Sequence, residues 1–143
     1  MMDWYINIDR VIDAPRAKVF EAWTKAEHVK HWFTPSGLST PACKLDFKTG
    51  GSWEHCMGMP DGSQHWMHAK FYEIKAPVRI LFYATLGGEA KDSEINTTVN
   101  FFEKGGKTLL NVHQVYRGLA AKLDSEAGWA SSLDLLGAYA GKL

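Results

Sequence analysis

The sequence has little of what would announce its chemistry. Only two cysteines, Cys43 and Cys56, occur in 143 residues. They form no Cys-x-x-Cys pair and are too few for a disulfide framework, so a reduced, cytoplasmic protein is expected. No apolar run approaches the roughly 18 residues of a transmembrane helix. Met1-Met2-Asp3-Trp4-Tyr5 lacks the apolar stretch of a signal peptide. Charge of one sign is not in excess either: sixteen basic residues balance sixteen acidic ones. Nucleic-acid binding and polybasic membrane attachment both need clustered Lys and Arg, so neither nucleic acid nor membrane is expected as a partner. Gly-x-Ser-x-Gly, His-Glu-x-x-His and phosphate-loop motifs are missing. No catalytic residue, metal ligand or cofactor is therefore assigned from a motif.

What is present reads as a globular domain. Hydrophobic residues make up 45% and charged ones 22%, and the length suits a single domain over residues 1–143. Six Trp, seven Phe and five Tyr exceed what a minimal core needs. Trp4–Ile12 predicts a strand, with Ile6, Ile8 and Ile12 on one face and Arg10 breaking that face, where it should find a partner or reach an opening. Pro15 opens a helix carrying Val19, Phe20 and Trp23. Thr24-Lys-Ala-Glu27 reads as a capping box for a second helix with Val29, Trp32 and Phe33, ended by Pro35.

Strands follow. Gly50-Gly51 marks a bend or bulge. Around the turn Pro60-Asp61-Gly62 the alternation pairs Met57 with His65, His55 with Met67, Trp53 with Ala69 and Glu54 with His68. The first three pairs, with Phe71, share the more apolar face, which should be concave. Val78–Leu86 turns Ile80, Phe82 and Ala84 inward, and Ile95–Phe102 turns Val99 and Phe101 inward. Thr108–Tyr116 does the same with Leu110, Val112 and Gln114. A final helix, about Ser125 to Lys142 and capped by Asp124 or Ser125, has Trp129, Leu133, Leu136 and Ala140 on one stripe. Gly128 there weakens the helix and suggests a close backbone approach. The order β-α-α-β6-α predicts an α+β architecture: a curved antiparallel sheet whose inner face the last helix covers.

Five motifs in this order resemble one superfamily. They are Ile12-Asp-Ala-Pro15 with Val19 and Trp23, Trp32-Phe33-Thr34-Pro35-x-Gly37, Asp46-Phe-Lys-Thr-Gly50-Gly51-x-Trp53, Pro60-Asp-Gly62, and Gly128-Trp129-x-x-x-Leu133-Asp134. Together they look like the SRPBCC (START-related, birch-pollen-allergen-like) superfamily, in its activator of heat-shock-chaperone ATPase homologue branch, over about Ile6 to Tyr139. The resemblance implies a helix-grip fold with a cavity between sheet and C-terminal helix. It also implies binding of a small hydrophobic molecule there, without assuming catalysis. Polyketide cyclases and aromatases belong to the same superfamily. The branch's eukaryotic co-chaperone has an additional N-terminal domain, whereas this sequence starts at the grip fold. A chaperone partner therefore stands as an alternative, and a homodimer is compatible with the sequence.

The expected ligand-binding residues are Trp53, His55, Met57, His65, Met67, Phe71, Phe82, Val99, Trp129 and Leu133. Such pockets are mainly apolar with a few orienting polar groups, and Met adapts to varied shapes. His55 and His65 are expected inward, buried and neutral at pH 7. In an enzyme of the cyclase type one of them would be the general base. As diagonal neighbours they supply only two ligands to a metal, short of a zinc set. Glu54 and His68 read as a surface pair, and His28 and His31 as solvated helix residues. Trp32 and Phe33 either close over a ligand or anchor the helices on the sheet.

Overall fold

The computed structural model describes residues 4–86, 94–117 and 125–143. These form seven strands and three helices, in the order β1 (Trp4–Ile12), α1 (Arg16–Glu21), α2 (Ala26–Val29), β2 (Ser39–Leu45), β3 (Ser52–Gly58), β4 (Gln64–Lys75), β5 (Arg79–Leu86), β6 (Glu94–Lys104), β7 (Lys107–Arg117) and α3 (Ser125–Ala140). The strands make one antiparallel sheet in the order β1-β7-β6-β5-β4-β3-β2. Its inner face is covered by α3, giving the helix-grip α+β fold. Among the described residues no helix is long and apolar enough to cross a membrane.

The registers follow from alternation and turn chemistry. In the β3–β4 hairpin Met57 faces His65, His55 faces Met67, Trp53 faces Ala69 and Glu54 faces His68. Asp61 Oδ1 accepts hydrogen bonds from the Ser63 amide and hydroxyl and so holds the turn. Gly105 and Gly106 both have positive φ, 58° and 81°, the geometry that joins β6 to β7 in a two-residue hairpin. Gly51 follows the bend after β2; a Cβ there would lie 2.0 Å from the Asp46 carbonyl oxygen, so no side chain fits. In β4 a bulge between Phe71 and Glu73 shifts the register, so that Phe71 and Ile74 both pack on the core.

The core lies between the concave face and the helices. Ile80, Val99, Leu110, Val112, Leu133 and Leu136 are fully buried. Trp23 packs on Trp32, Phe101 and Trp129. Arg10, the charged residue on the inner parity of β1, finds its partner in Asp134 on the outward side of α3. Thr108 donates to the Ala14 carbonyl at 2.8 Å and ties β7 to the start of α1.

Several local expectations change. Thr24 does not cap α2; its hydroxyl turns back to the Glu21 carbonyl at 2.7 Å, and α2 starts from Lys25 without a side-chain cap. The α2 helix is four residues long, and Trp32 and Phe33 lie in the turns beyond it. Trp32 is an anchor: it is fully buried and its indole N–H donates to the Ala22 carbonyl at 2.9 Å. Thr34–Pro41 reads as a Pro/Gly loop in the sequence, yet strand β2 starts inside it at Ser39, because β3 offers it an edge to pair with. His28 is not simply solvated, since its Nδ1 lies 2.6 Å from the Tyr139 hydroxyl and His31 stacks on the same ring. The cap expected at Asp124 lies outside the described residues, as does the side chain of Ser125.

Leu133 carries the grip of α3 on the sheet. Leu133→Ala should lower stability by about 2–5 kcal/mol, the range for a buried Leu, as measured by urea unfolding. An unchanged midpoint would show that α3 is not part of the core.

Candidate functional site

The helix and the sheet do not meet everywhere. Near the N-terminal end of α3 a cavity of about 360 Å³ remains between them. Alternation on the inner face supplies its floor: Met57 from β3, Met67 from β4, Phe82 and Ala84 from β5, and Ile95 from β6. Gly128, Trp129 and Ser132 of α3 form the roof, and Phe33 and Pro35 close one side. Gly128 makes no close backbone approach; the nearest atom to a Cβ there would be Pro35 Cγ at 3.8 Å, an ordinary contact. Its bare backbone simply leaves space.

Six of the ten expected residues line this cavity: His55, Met57, His65, Met67, Phe82 and Trp129. The other four, Trp53, Phe71, Val99 and Leu133, are buried in the core and do not line it. The reason is packing. Trp53 is filled in on all sides, lying parallel to Phe71 at 6.1 Å and tilted or edge-on to Phe33 and Phe82 at 4.6 and 5.1 Å. Leu133, one turn beyond Trp129, seals the helix to the sheet.

The two histidines part company. His55 is fully buried. His65 is exposed, contrary to the expectation of a buried pair. It is the second residue of β4, and residues 60–66 at the open end of the hairpin are all exposed. His65 and Trp66 therefore stand at the mouth, with Trp66 stacked on His68. Glu54 and His68 form a 3.0 Å pair on the outer face, both sides about half exposed.

Two buried polar groups reach the cavity wall. In the first, His55 Nε2 lies 2.8 Å from Thr34 Oγ1, which lies 2.6 Å from Thr40 Oγ1. The other ring nitrogen, Nδ1, has no partner among the described residues. Burial disfavours the imidazolium and pushes the His55 pKa down from 6.5 to about 4, so the ring is neutral at pH 7. Thr34 and Thr40 also line a second, more polar cleft beside Lys30 and His31.

In the second group, Gln114 Oε1 accepts the Trp129 indole N–H at 2.8 Å and the Tyr116 hydroxyl. Gln114 Nε2 donates to Thr97 Oγ1 at 2.9 Å. The expected site omitted Thr97, Gln114, Tyr116 and Phe33. The parity of β6 and β7 already turns Thr97 and Gln114 inward, and a polar side chain on an inner face is the signal that could have placed them. Nothing periodic marks Phe33, which comes from a turn.

The His55 shift has a sign that can be tested. Its folded pKa is depressed, so the unfolded chain takes up a proton first as pH falls. The protein should lose stability progressively between pH 6.5 and 4, by about 3 kcal/mol from this group. His55→Leu should flatten that limb relative to the parent in urea unfolding at a series of pH values. Parallel curves would mean that His55 titrates normally.

Comparison with known proteins agrees with this fold. The family model for Activator of Hsp90 ATPase homolog 1-like protein matches residues 13–141. An uncharacterised protein from Rhizobium leguminosarum is 28% identical, with a TM-score of 0.86 over 99% of this chain and 97% of that one. A Chromobacterium violaceum protein is 22% identical with a TM-score of 0.82, covering 94% and 95% of the two chains. One from Rhizobium loti is 23% identical with a TM-score of 0.79, covering 96% and 97%. At 22% and 23% identity, the last two share the fold. No curated protein matches the sequence.

Proposed function

The chain belongs to the Activator of Hsp90 ATPase homolog 1-like family, and from that premise we propose that it binds a small hydrophobic molecule in the cavity under α3. The observation that carries the reading is the open, apolar-walled space of about 360 Å³ where the helix leaves the sheet. Ligand sites in proteins are concave, mostly apolar and fixed by a few polar groups, which describes this one. An apolar cavity of roughly 150 Å³ takes up benzene, so a skeleton of about two rings is the matching size. Met57, Met59 and Met67 give the wall adaptable side chains.

Catalysis by an inward histidine has less support. A general base works best with a pKa near the operating pH. That of His55 is about 4, and its Nε2 is engaged by Thr34. His65 stands exposed at the mouth.

Native mass spectrometry of freshly purified protein should show a co-purified apolar molecule. Added naphthalene should change tryptophan fluorescence through Trp129 at concentrations below about 1 mM, equivalent to about 4 kcal/mol. Gly128→Leu projects a side chain from the roof into the cavity, while raising helix propensity by roughly 0.8 kcal/mol. It should fold at least as stably as the parent and lose the probe. A stable Gly128→Leu protein that binds naphthalene undiminished would place binding elsewhere.

A further inference from the structure

The polar wall selects among apolar ligands. An indole N–H can only donate, so the 2.8 Å contact from Trp129 fixes which end of the Gln114 amide is oxygen. That oxygen also accepts the Tyr116 hydroxyl, and its two lone pairs are used. The amide nitrogen spends one hydrogen on Thr97 Oγ1. Among the described residues nothing accepts its second N–H. Thr97 receives that bond, so its own hydroxyl hydrogen also remains to be donated. Both residues are buried, with 4% and 1% exposure, and both line the cavity. The wall thus offers two donors on neighbouring strands, with the acceptor between them already satisfied.

The rest of the lining sets the charge. Among the described residues, none lining the cavity is Asp, Glu, Lys or Arg. An anionic or cationic head group would lose its water there without gaining a counter-charge, which is strongly unfavourable. A pure hydrocarbon would displace water from the two donors and leave them unpaired.

Resting on the binding reading above, we infer that the ligand is a neutral molecule with a carbonyl-type acceptor seated between the Gln114 amide and the Thr97 hydroxyl. Its apolar body lies over Met57, Met67 and Phe82.

Three probes of one skeleton test this. At pH 7, 2-acetylnaphthalene should bind roughly tenfold or more tighter than 2-isopropylnaphthalene, which has the same shape without the acceptor. The 2-naphthoate anion should bind weakest. The carbonyl stretch of bound 2-acetylnaphthalene should fall at a hydrogen-bonded frequency, as in an alcohol. Gln114→Glu replaces a donor with an acceptor at nearly constant shape and should bring ketone and hydrocarbon towards parity. If that variant does not fold, the stretch in the parent protein decides alone. Equal binding of ketone and hydrocarbon by the parent, tighter binding of the naphthoate, or a hexane-like stretch would overturn the inference and leave the binding function standing. Binding of none of the three would overturn both.

Discussion

The indole of Trp129 stands where the packed core gives way to open space, and the site depends on how it is held. One face lies against Trp23 at 6.3 Å, nearly parallel, and Phe33 meets it edge-on at 5.7 Å. Its N–H reaches Gln114 on β7. This bond ties the N-terminal turns of α3 to the sheet. One turn further on, Leu133 closes the gap. The change from spacer to seal within four residues creates a cavity at one end of the helix and a core at the other.

The fold was largely legible because it rests on alternation and turns. The β3–β4 register follows from Pro60-Asp61-Gly62 and from the contrast between Trp53, His55 and Met57 on one face and Glu54 on the other. The same alternation assigns inner and outer faces for β5, β6 and β7. It fails where depth along the strand matters more than side. Trp53, Phe71 and Val99 have the correct face, yet neighbouring side chains fill the space above them, and Leu133 is likewise sealed into the core. Parity says which way a side chain points; it does not say whether helix or void lies above it.

The histidines show the same limit more sharply. His55 and His65 share a face and are diagonal neighbours, and a pattern of period two treats them alike. Yet His55 lies three residues inside the end of β3, beneath Phe33 and beside Thr34. His65 lies at the hairpin end, where residues 60–66 are uncovered. Burial therefore lowers the pKa of His55, while His65 stands exposed. Thr34 was legible only as the residue before Pro35. Its role as partner of His55, 21 positions away, arises when the loop folds over the sheet.

A magnitude decides what state the cavity is in. Core voids left by truncation cost about 24 cal/mol per Å³, so a sealed, dry space of about 360 Å³ would cost about 9 kcal/mol. Whole domains are stable by only about 5–15 kcal/mol. A void of that cost would favour collapse of the Met-lined wall, whose unbranched side chains repack readily. The cavity is tolerable because it is not sealed: the exposed His65 and Trp66 stand at its mouth, and the donors of Thr97 and Gln114 give entering water something to hold. The apolar wall then makes that water poorly held away from the two donors. An apolar body that replaces it gains from the floor, and an acceptor that keeps the two donors paired loses nothing at the wall. The features that keep the empty state stable are thus the ones on which the proposed selectivity rests.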